Sequence, residues 1–223
     1  MKINFPLLDG MIEFDKTLIL TIEDTETFSD LARLLYSYNE SSPLKLASDD
    51  FSPLKESQLM LVSDILGYNI NTPAILKLVY ADLERQFGEK EEVKARLESL
   101  AVEIANIISS ECLENELDLE YDEITLLELI KAMGVKIETT MSSVYEKCYE
   151  IVQIFKYLSK KNLLVFLNVG AYLTEKQIKS LLEYIELCNL NVIFLEPNKL
   201  YDLPQYILDS DYYLEYLNSS SES

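Results

Sequence analysis

The chain has 223 residues, 48% of them apolar, so it is long enough and apolar enough to bury a core in one large or two small domains. Its 39 acidic and 19 basic residues give a formal net charge of −20, which as an average argues against binding to nucleic acid or an anionic membrane. The absence of histidine excludes imidazole acid/base catalysis, histidine-activated nucleophiles and the usual zinc sites.

The sequence shows no sign of export or membrane insertion. No basic-then-apolar segment opens the chain, and no apolar stretch approaches the roughly 20 residues that a membrane span needs. We therefore expect a cytoplasmic protein with no membrane partner. Cys112, Cys148 and Cys188 are odd in number, far apart and set in helix-like patterns. They are predicted to be buried, reduced thiols, not a disulfide or a nucleophile.

The first quarter of the chain is predicted to be mainly β-strand. Two strand-like segments flank a turn at Asp9-Gly10, and residues 17–24 form a mostly apolar run typical of a strand covered on both faces. A helix is expected from about Thr27 to Asn39. Residues 40–55 are rich in Ser, Pro and Asp and are predicted to be a loop, after which residues 57–65 form another strand.

Helical spacing of the apolar residues dominates the middle of the chain. Pro73 is well suited to the first turn of a helix, and Gly134 is a natural stop at the end of one. The predicted helices are residues 73–88, about 89 to 112, 124 to 134, and a last helix that is capped by Ser142 or Ser143 and reaches about Ser159.

The last quarter alternates strand and helix again. Residues 163–168 form a buried strand, Thr174 and Gln177 form a capping box that opens a helix to about Cys188, and residues 192–196 form the next strand. A strand, a helix and a second strand in this order predict parallel pairing with a right-handed crossover.

These elements predict an α/β fold built from both ends of the chain. The parallel-sheet head comprises residues 1–64 and 159–217, and an all-helical leg of residues 65–158 is inserted into it. The tail, residues 218–223, is expected to be disordered. A strand followed by a helix at residues 17–30 has the order found around a phosphate-binding loop, but contains no glycine and no Gly-Lys-Ser/Thr turn. This disfavours nucleotide hydrolysis.

The segment 114–123 concentrates negative charge, because six of its ten residues are carboxylates and five of these alternate. In extended backbone, residues two apart lie about 7 Å apart on one side, where each neighbouring pair repels by roughly 0.6 kcal/mol even in water. A hard cation such as Ca²⁺ would relieve this repulsion, whereas the alternative is a solvated acidic face. The carboxylates concerned are Glu114, Glu116, Asp118, Glu120, Asp122 and Glu123.

Basic residues are concentrated farther along the chain. The stretch from Lys131 to Leu181 has eight lysines and four glutamates, a net charge of +4, whereas residues 97–130 contain ten carboxylates and no basic residue. The lysines either serve solubility on scattered helix ends or form a strip that binds phosphates. The candidates are Lys131, Lys136, Lys147, Lys156, Lys160, Lys161, Lys176 and Lys179.

Four longer segments are more specific than any of these short motifs: ILKLVYADLERQF (75–87), ECLENELDLEYDEIT (111–125), IFKYLSKKNLLVFLN (154–168) and LEPNKLYDLPQYILD (195–209). Together they strongly resemble the Csn-two family, the CRISPR-associated spacer-acquisition proteins of type II-A systems. The resemblance runs in one colinear register over nearly the entire chain and includes the N-terminal NFPLLD.

The resemblance implies a non-enzymatic protein with an α/β head similar to P-loop ATPases but without the phosphate loop, and a helical leg. Members form homotetrameric rings whose lysine-lined hole accepts double-stranded DNA from its free ends, without sequence specificity. Calcium ions near the acidic segment hold the ring in its DNA-competent shape. The resemblance thus makes some of the six carboxylates of residues 114–123 the candidate calcium ligands, with Glu128 or Glu146 as outside contributors. The role is capture of new spacers, alongside the two integrase proteins and the effector nuclease.

Two other classes of function stay open at this point. One is an acidic scaffold that docks on protein partners and never touches DNA. The other is an α/β enzyme that hydrolyses nucleotides, which is supported by the head architecture alone.

Overall fold

The computed structural model describes residues 1–140 and 142–218. The chain divides into two compact units, one made of residues 1–68 together with the chain from Thr140 onward, and one made of residues 69–139. Apart from Asn218, the tail that we expected to be disordered lies outside the described residues. No helix in the described part of the chain is both long and apolar enough to cross a membrane.

The first unit contains every described strand and three α-helices. Its strands are β1 (Lys2–Asn4), β2 (Ile12–Glu13), β3 (Thr17–Ile22), β4 (Lys45–Ala47), β5 (Leu59–Val62), β6 (Leu163–Leu167), β7 (Val192–Glu196), β8 (Gln205–Leu208) and β9 (Leu214–Leu217). Its helices are α1 (Thr25–Tyr36), α5 (Val144–Tyr157) and α6 (Glu175–Leu187).

The main sheet of this unit has six strands in the order β5-β6-β7-β3-β8-β9. All neighbouring strands are parallel except β9, which is antiparallel to β8. The central strands are mostly apolar, as expected for strands that are covered on both faces. The rings of Phe166 and Phe194 stack at a centroid distance of 5.4 Å within this core. The predicted mixed α/β class with a mostly parallel sheet is confirmed.

The sequence signals at the predicted βαβ unit are confirmed in detail. β6 pairs with β7 in parallel, and α6 begins at the expected capping box, in which Thr174 Oγ1 accepts from the backbone amide of Gln177. Ser143 caps α5 by accepting from the amide of Glu146. Helix α1 begins two residues before the expected start because Asp24 caps it by accepting from the amide of Thr27 at 2.8 Å.

The segment 40–55 is not only a loop, as the sequence suggested. Its residues Lys45–Ala47 form β4, which pairs antiparallel with β1 and places Leu46 opposite Ile3 in the core. Together with β2 these strands make a second, three-stranded sheet. Three residues between Ser- and Pro-rich flanks are too short for the period-2 pattern to be recognised. Strands β8 and β9 were also missed.

The second unit, residues 69–139, contains α2 (Pro73–Gly88), α3 (Glu91–Leu113) and α4 (Leu126–Ala132). Its two ends are joined by Asn71, whose side chain donates to the carbonyl of Ile137 and accepts from the amide of Ile137, both at 2.9 Å. This unit is shorter than the leg that we expected over residues 65–158, because α5 lies in the first unit and buries residues such as Ile151 and Val152 there.

The cysteines differ in burial. Cys148 is fully buried on α5, and burial raises the pKa of its thiol to about 12. Cys112 and Cys188 are only partly buried, so the expectation of buried thiols was wrong for these two. Within the described residues all three are free thiols, as the sequence predicted.

Candidate functional site

The six candidate calcium ligands lie on the connection between α3 and α4. Glu114 caps the end of α3, and described residues 118–125 adopt neither helix nor strand. All six side chains, from Glu114 to Glu123, are exposed. The extended strand that would have placed alternate carboxylates on one side did not form. Nowhere in residues 1–140 and 142–218 do three acidic or cysteine side chains converge on a point that could hold a metal ion. The arrangement in one chain therefore does not fit a preformed calcium site.

The two possible outside contributors already have local hydrogen-bond partners. Glu128 accepts from the backbone amide and the hydroxyl of Thr125 in the capping box of α4, and these bonds lower the pKa of its carboxyl. Glu146 accepts from the amide and hydroxyl of Ser142 before α5, and its pKa is likewise lowered. Both carboxylates thus cap their own helices.

The eight candidate lysines fall into two groups. Four have ammonium groups engaged within the chain: Lys147 donates to the carbonyl of Leu66 at 2.7 Å, Lys156 to Cys188 Sγ at 3.1 Å, Lys161 to the carbonyl of Leu59 at 2.6 Å, and Lys179 pairs with Glu175 at 2.7 Å. The other four are exposed side chains: Lys131, Lys136, Lys160 and Lys176. Lys131 and Lys136 belong to the helical unit, and the other six to the α/β unit.

The turn between β3 and α1 does not offer a phosphate cradle. Asp24 Oδ1 accepts from the backbone amide of Thr27 at 2.8 Å and from its hydroxyl at 2.7 Å. The hydroxyl and amide of Thr27 both lower the pKa of Asp24, so a carboxylate occupies the positive end of this helix. A phosphate-binding loop would need these amides free and approachable.

Sequence reasoning missed a buried carboxyl group at the C-terminal end of β7. Glu196 Oε1 accepts from the backbone amides of Val169 at 3.1 Å and Gly170 at 3.0 Å. Burial raises the pKa of Glu196 to about 7, although both amide bonds act in the opposite direction. A Cβ on residue 170 would lie 2.2 Å from Leu200 Cδ2 and 3.0 Å from Glu196 Oε2, so a larger residue there would force these side chains to move. The available signal was an acidic residue that directly ends a buried strand.

Helix α3 presents an unusually apolar surface. Of its 23 described residues only Ala101 is buried. Leu100, Ile104, Ile107 and Ile108 share one face by their 3-and-4 spacing, and Ile107 is 61% exposed. Within the same unit, a groove of about 510 Å³ lies between α3 and residues 121–129. This exposed apolar face of α3 is a candidate interaction surface.

Comparison with known proteins gives the family. The family model described as CRISPR-associated protein (Cas_Csn2) matches residues 37–212. The chain is 56% identical over 214 residues to CRISPR-associated protein Csn2 of Streptococcus agalactiae, covering 96% of this chain and 97% of the relative. It is 47% identical over 216 residues to CRISPR-associated protein Csn2 of Enterococcus faecalis, covering 97% of this chain and 99% of the relative.

The fold also has a solved counterpart. The crystal structure of Stu0660 of Streptococcus thermophilus superposes with a TM-score of 0.61 at 14% identity, covering 98% of this chain and 77% of that chain. At this identity the likeness concerns the fold alone. The family model and the two close relatives establish that the chain belongs to the Csn2 family of CRISPR-associated proteins.

Proposed function

We propose that this Csn2-family protein is a non-enzymatic protein of CRISPR adaptation that assembles into a homotetrameric ring and binds double-stranded DNA ends without sequence specificity. Family membership is consistent with a role in CRISPR adaptation. The observation that carries the rest is the segregation of charge along the chain. Residues 97–130 carry ten carboxylates and no basic residue, whereas residues 131–181 have a net charge of +4.

Self-association is supported by α3. A helix with one buried residue among its 23 described positions, and with four large apolar side chains on one face, gains stability by covering that face. A second copy of the chain supplies an identical apolar surface, and closed symmetry is the usual outcome of such pairing. In the proposed ring, the helical unit is the leg and the α/β unit is the head.

DNA binding is assigned first to the four exposed lysines for which no hydrogen bond or ion pair is described within the chain, because their ammonium groups are available to phosphate oxygens. These are Lys131, Lys136, Lys160 and Lys176. A ring repeats each of them in every subunit around one axis, so that local positive charge accumulates despite the formal −20 of each chain. Lysines that contact phosphates, and not base edges, bind any sequence.

Ca²⁺ is the proposed counter-ion of the acidic segment, residues 114–123. Its candidate ligands are dispersed in the described chain, so binding requires that they move together or that donors come from another copy. When bound, the ion would neutralise part of the negative charge of residues 114–123.

The α/β unit is proposed to descend from a P-loop ATPase-like fold that has lost nucleotide chemistry. Asp24 caps α1 where a phosphate loop would present free amides, which supports a head that does not hydrolyse nucleotides. The two integrase proteins and the effector nuclease are the proposed protein partners.

One alternative is favoured by a specific observation, the net charge of −20. An acidic scaffold would dock on protein partners and would not bind DNA. Titration of a short linear duplex at several salt concentrations separates the two. The DNA-binding proposal predicts an affinity whose logarithm falls linearly with the logarithm of salt concentration. A scaffold shows no measurable affinity even at low salt.

A further inference from the structure

The six-stranded sheet has an open edge at β5. Within the described residues, β5 pairs with β6 and with no other strand. The amide of Asn162, which precedes β6, donates to the carbonyl of Gln58 at 2.8 Å, so that carbonyl faces β6. Because successive carbonyls of an extended strand alternate in direction, the carbonyl of Leu59 faces away from β6. Open edges of this kind pair with strands of other chains.

A groove runs along the β5 edge and could receive the side chains of an added strand. Leu59 and Leu61 are alternate residues of β5, and their side chains line one groove of about 530 Å³ together with Leu35, Tyr36 and Lys161. A peptide that adds to a sheet edge gains affinity from main-chain hydrogen bonds and places alternate side chains in such a groove. The β5 edge is therefore competent for pairing unless another group covers it.

Lys161 covers it. Its Nζ donates to the outward-facing carbonyl of Leu59 at 2.6 Å and to the carbonyl of Ser57 at 3.3 Å. The side chain is half-buried, and its removal from water lowers the pKa of the amine. An ammonium group over the free carbonyls opposes an incoming strand, which would have to displace it. Lys160, the preceding residue, is exposed.

We propose that Lys161 closes the β5 edge against pairing with a strand of a second copy of this chain, and that it does not contact DNA phosphates. The closure of the β5 edge by Lys161 does not depend on the proposed function, whereas the statement about DNA phosphates rests on it. The adjacent lysines thus differ in role: Lys160 is available to phosphates, and Lys161 protects the sheet.

The first test measures self-association. K161M keeps the aliphatic stem but removes the ammonium group, K161R keeps a cationic donor, and K160M is the matched control. Sedimentation velocity over a wide range of protein concentration should show assemblies of K161M that are larger than those of the wild type and increase with concentration. K161R and K160M should sediment like the wild type. A K161M protein that also sediments like the wild type overturns the proposal.

A folded state is checked by thermal melting. If K161M does not fold, K161Q repeats the comparison with a polar but uncharged head group, and the same outcomes apply. The sedimentation measurement contains no DNA. Its result therefore tests the closure of the β5 edge even if the protein does not bind DNA.

The second test separates the two lysines on DNA. In the wild type, saturating linear duplex should protect Lys160 from amine-directed labelling and leave the labelling of Lys161 unchanged. K160M should lower the magnitude of the slope of log affinity against log salt by the amount expected for about one phosphate contact in each subunit that touches DNA, whereas K161M should not change this slope. Protection of Lys161 by duplex, or loss of a phosphate contact in K161M, overturns the proposal.

Discussion

Glu196 accepts a hydrogen bond from the backbone amide of Gly170 at 3.0 Å, and this glutamate is only 1% exposed. The bond joins the end of β7 to the turn that follows β6, where a Cβ on residue 170 would clash with Leu200. A carboxyl group in this position is a source of pH dependence, because its charged form loses hydration on folding.

The sign of that pH dependence follows from the raised pKa. The carboxyl of Glu196 ionises near pH 4.5 in the unfolded chain but only at about 7 in the fold, because burial disfavours the charge. Its contribution to stability is therefore fully present below about pH 4.5 and is lost as pH rises to about 7. The loss is about 3 kcal/mol.

We expect Glu196→Gln to remove this loss, since an amide oxygen still accepts from the backbone amides of Val169 and Gly170 and carries no charge. The free energy of unfolding of the variant, relative to the wild type, should rise between about pH 4.5 and about pH 7. Chemical denaturation at several pH values measures it. Glu183→Gln, at an exposed position on α6, is the control and should show no such trend. A difference for E196Q that is constant with pH would contradict the assignment.

We expect Ile107→Glu to weaken the homotetramer. It places a charge on the exposed apolar face of α3, where burial against another copy would leave the carboxylate without a partner. A cost of about 1–3 kcal/mol per buried site corresponds to roughly 5-fold to 160-fold in the dissociation constant. Light scattering after gel filtration gives the assembly mass.

Ser99→Glu adds the same charge at an exposed position of α3 that is neither three nor four residues from any of the four apolar side chains, and it serves as the control. An I107E protein that keeps the wild-type mass at all concentrations would show that the face is not the assembly surface.

We expect the acidic segment to bind Ca²⁺ in the assembled protein, and charge reversal of Glu116, Asp118 and Glu120 to lysine to abolish that binding. Isothermal titration of the wild type with Ca²⁺ should give measurable heat, and the triple variant should give none. Chelation should also disperse the wild-type tetramer, because removal of the ion restores the repulsion among these carboxylates.

The matched control reverses Glu23, Glu26 and Glu40, three exposed acids of the other unit, and so changes net charge equally. Loss of Ca²⁺ binding in both variants would show a general effect of net charge and not a specific site. A wild type that gives no heat with Ca²⁺ would show that the protein does not bind the ion.

We expect the double variant K160M/K176M to bind linear duplex more weakly. The magnitude of the slope of log affinity against log salt should decrease by the amount expected for about two phosphate contacts in each subunit that touches DNA. Both side chains are exposed, whereas Lys147 and Lys156 already donate within the fold. The control K45M/K55M removes two exposed lysines outside the basic segment and should leave the salt dependence unchanged. Equal losses in the two variants would contradict the assignment of the site.

Much of the α/β unit follows from local sequence signals. The apolar run of β6, the capping box at Thr174 and the apolar run of β7 are each readable within a few residues, and together they predict a parallel pair. β4 could not be recognised, because its three residues gain strand structure only by pairing with β1, more than 40 residues earlier. The acidic segment is the opposite case. Its sequence has a clear period-2 pattern, but in the described residues it pairs with no strand and does not form one.

The candidate site is less predictable because its distinctions depend on distant contacts. Lys160 and Lys161 are identical and adjacent in sequence, yet only Lys161 reaches the carbonyl of Leu59, 102 residues away. Lys147 likewise donates to Leu66, 81 residues away. Glu196 looks like any acidic residue that ends a strand, and its raised pKa arises from burial that the sequence does not show.

The central claim is that a closed ring receives DNA through its free ends. Its most direct test compares the affinity for a linear duplex with that for a covalently closed circle of the same sequence, in the presence of Ca²⁺. We predict that the linear duplex is retained and that the circle binds poorly, because a circle offers no end to thread. Equal affinity for the two forms would contradict the account.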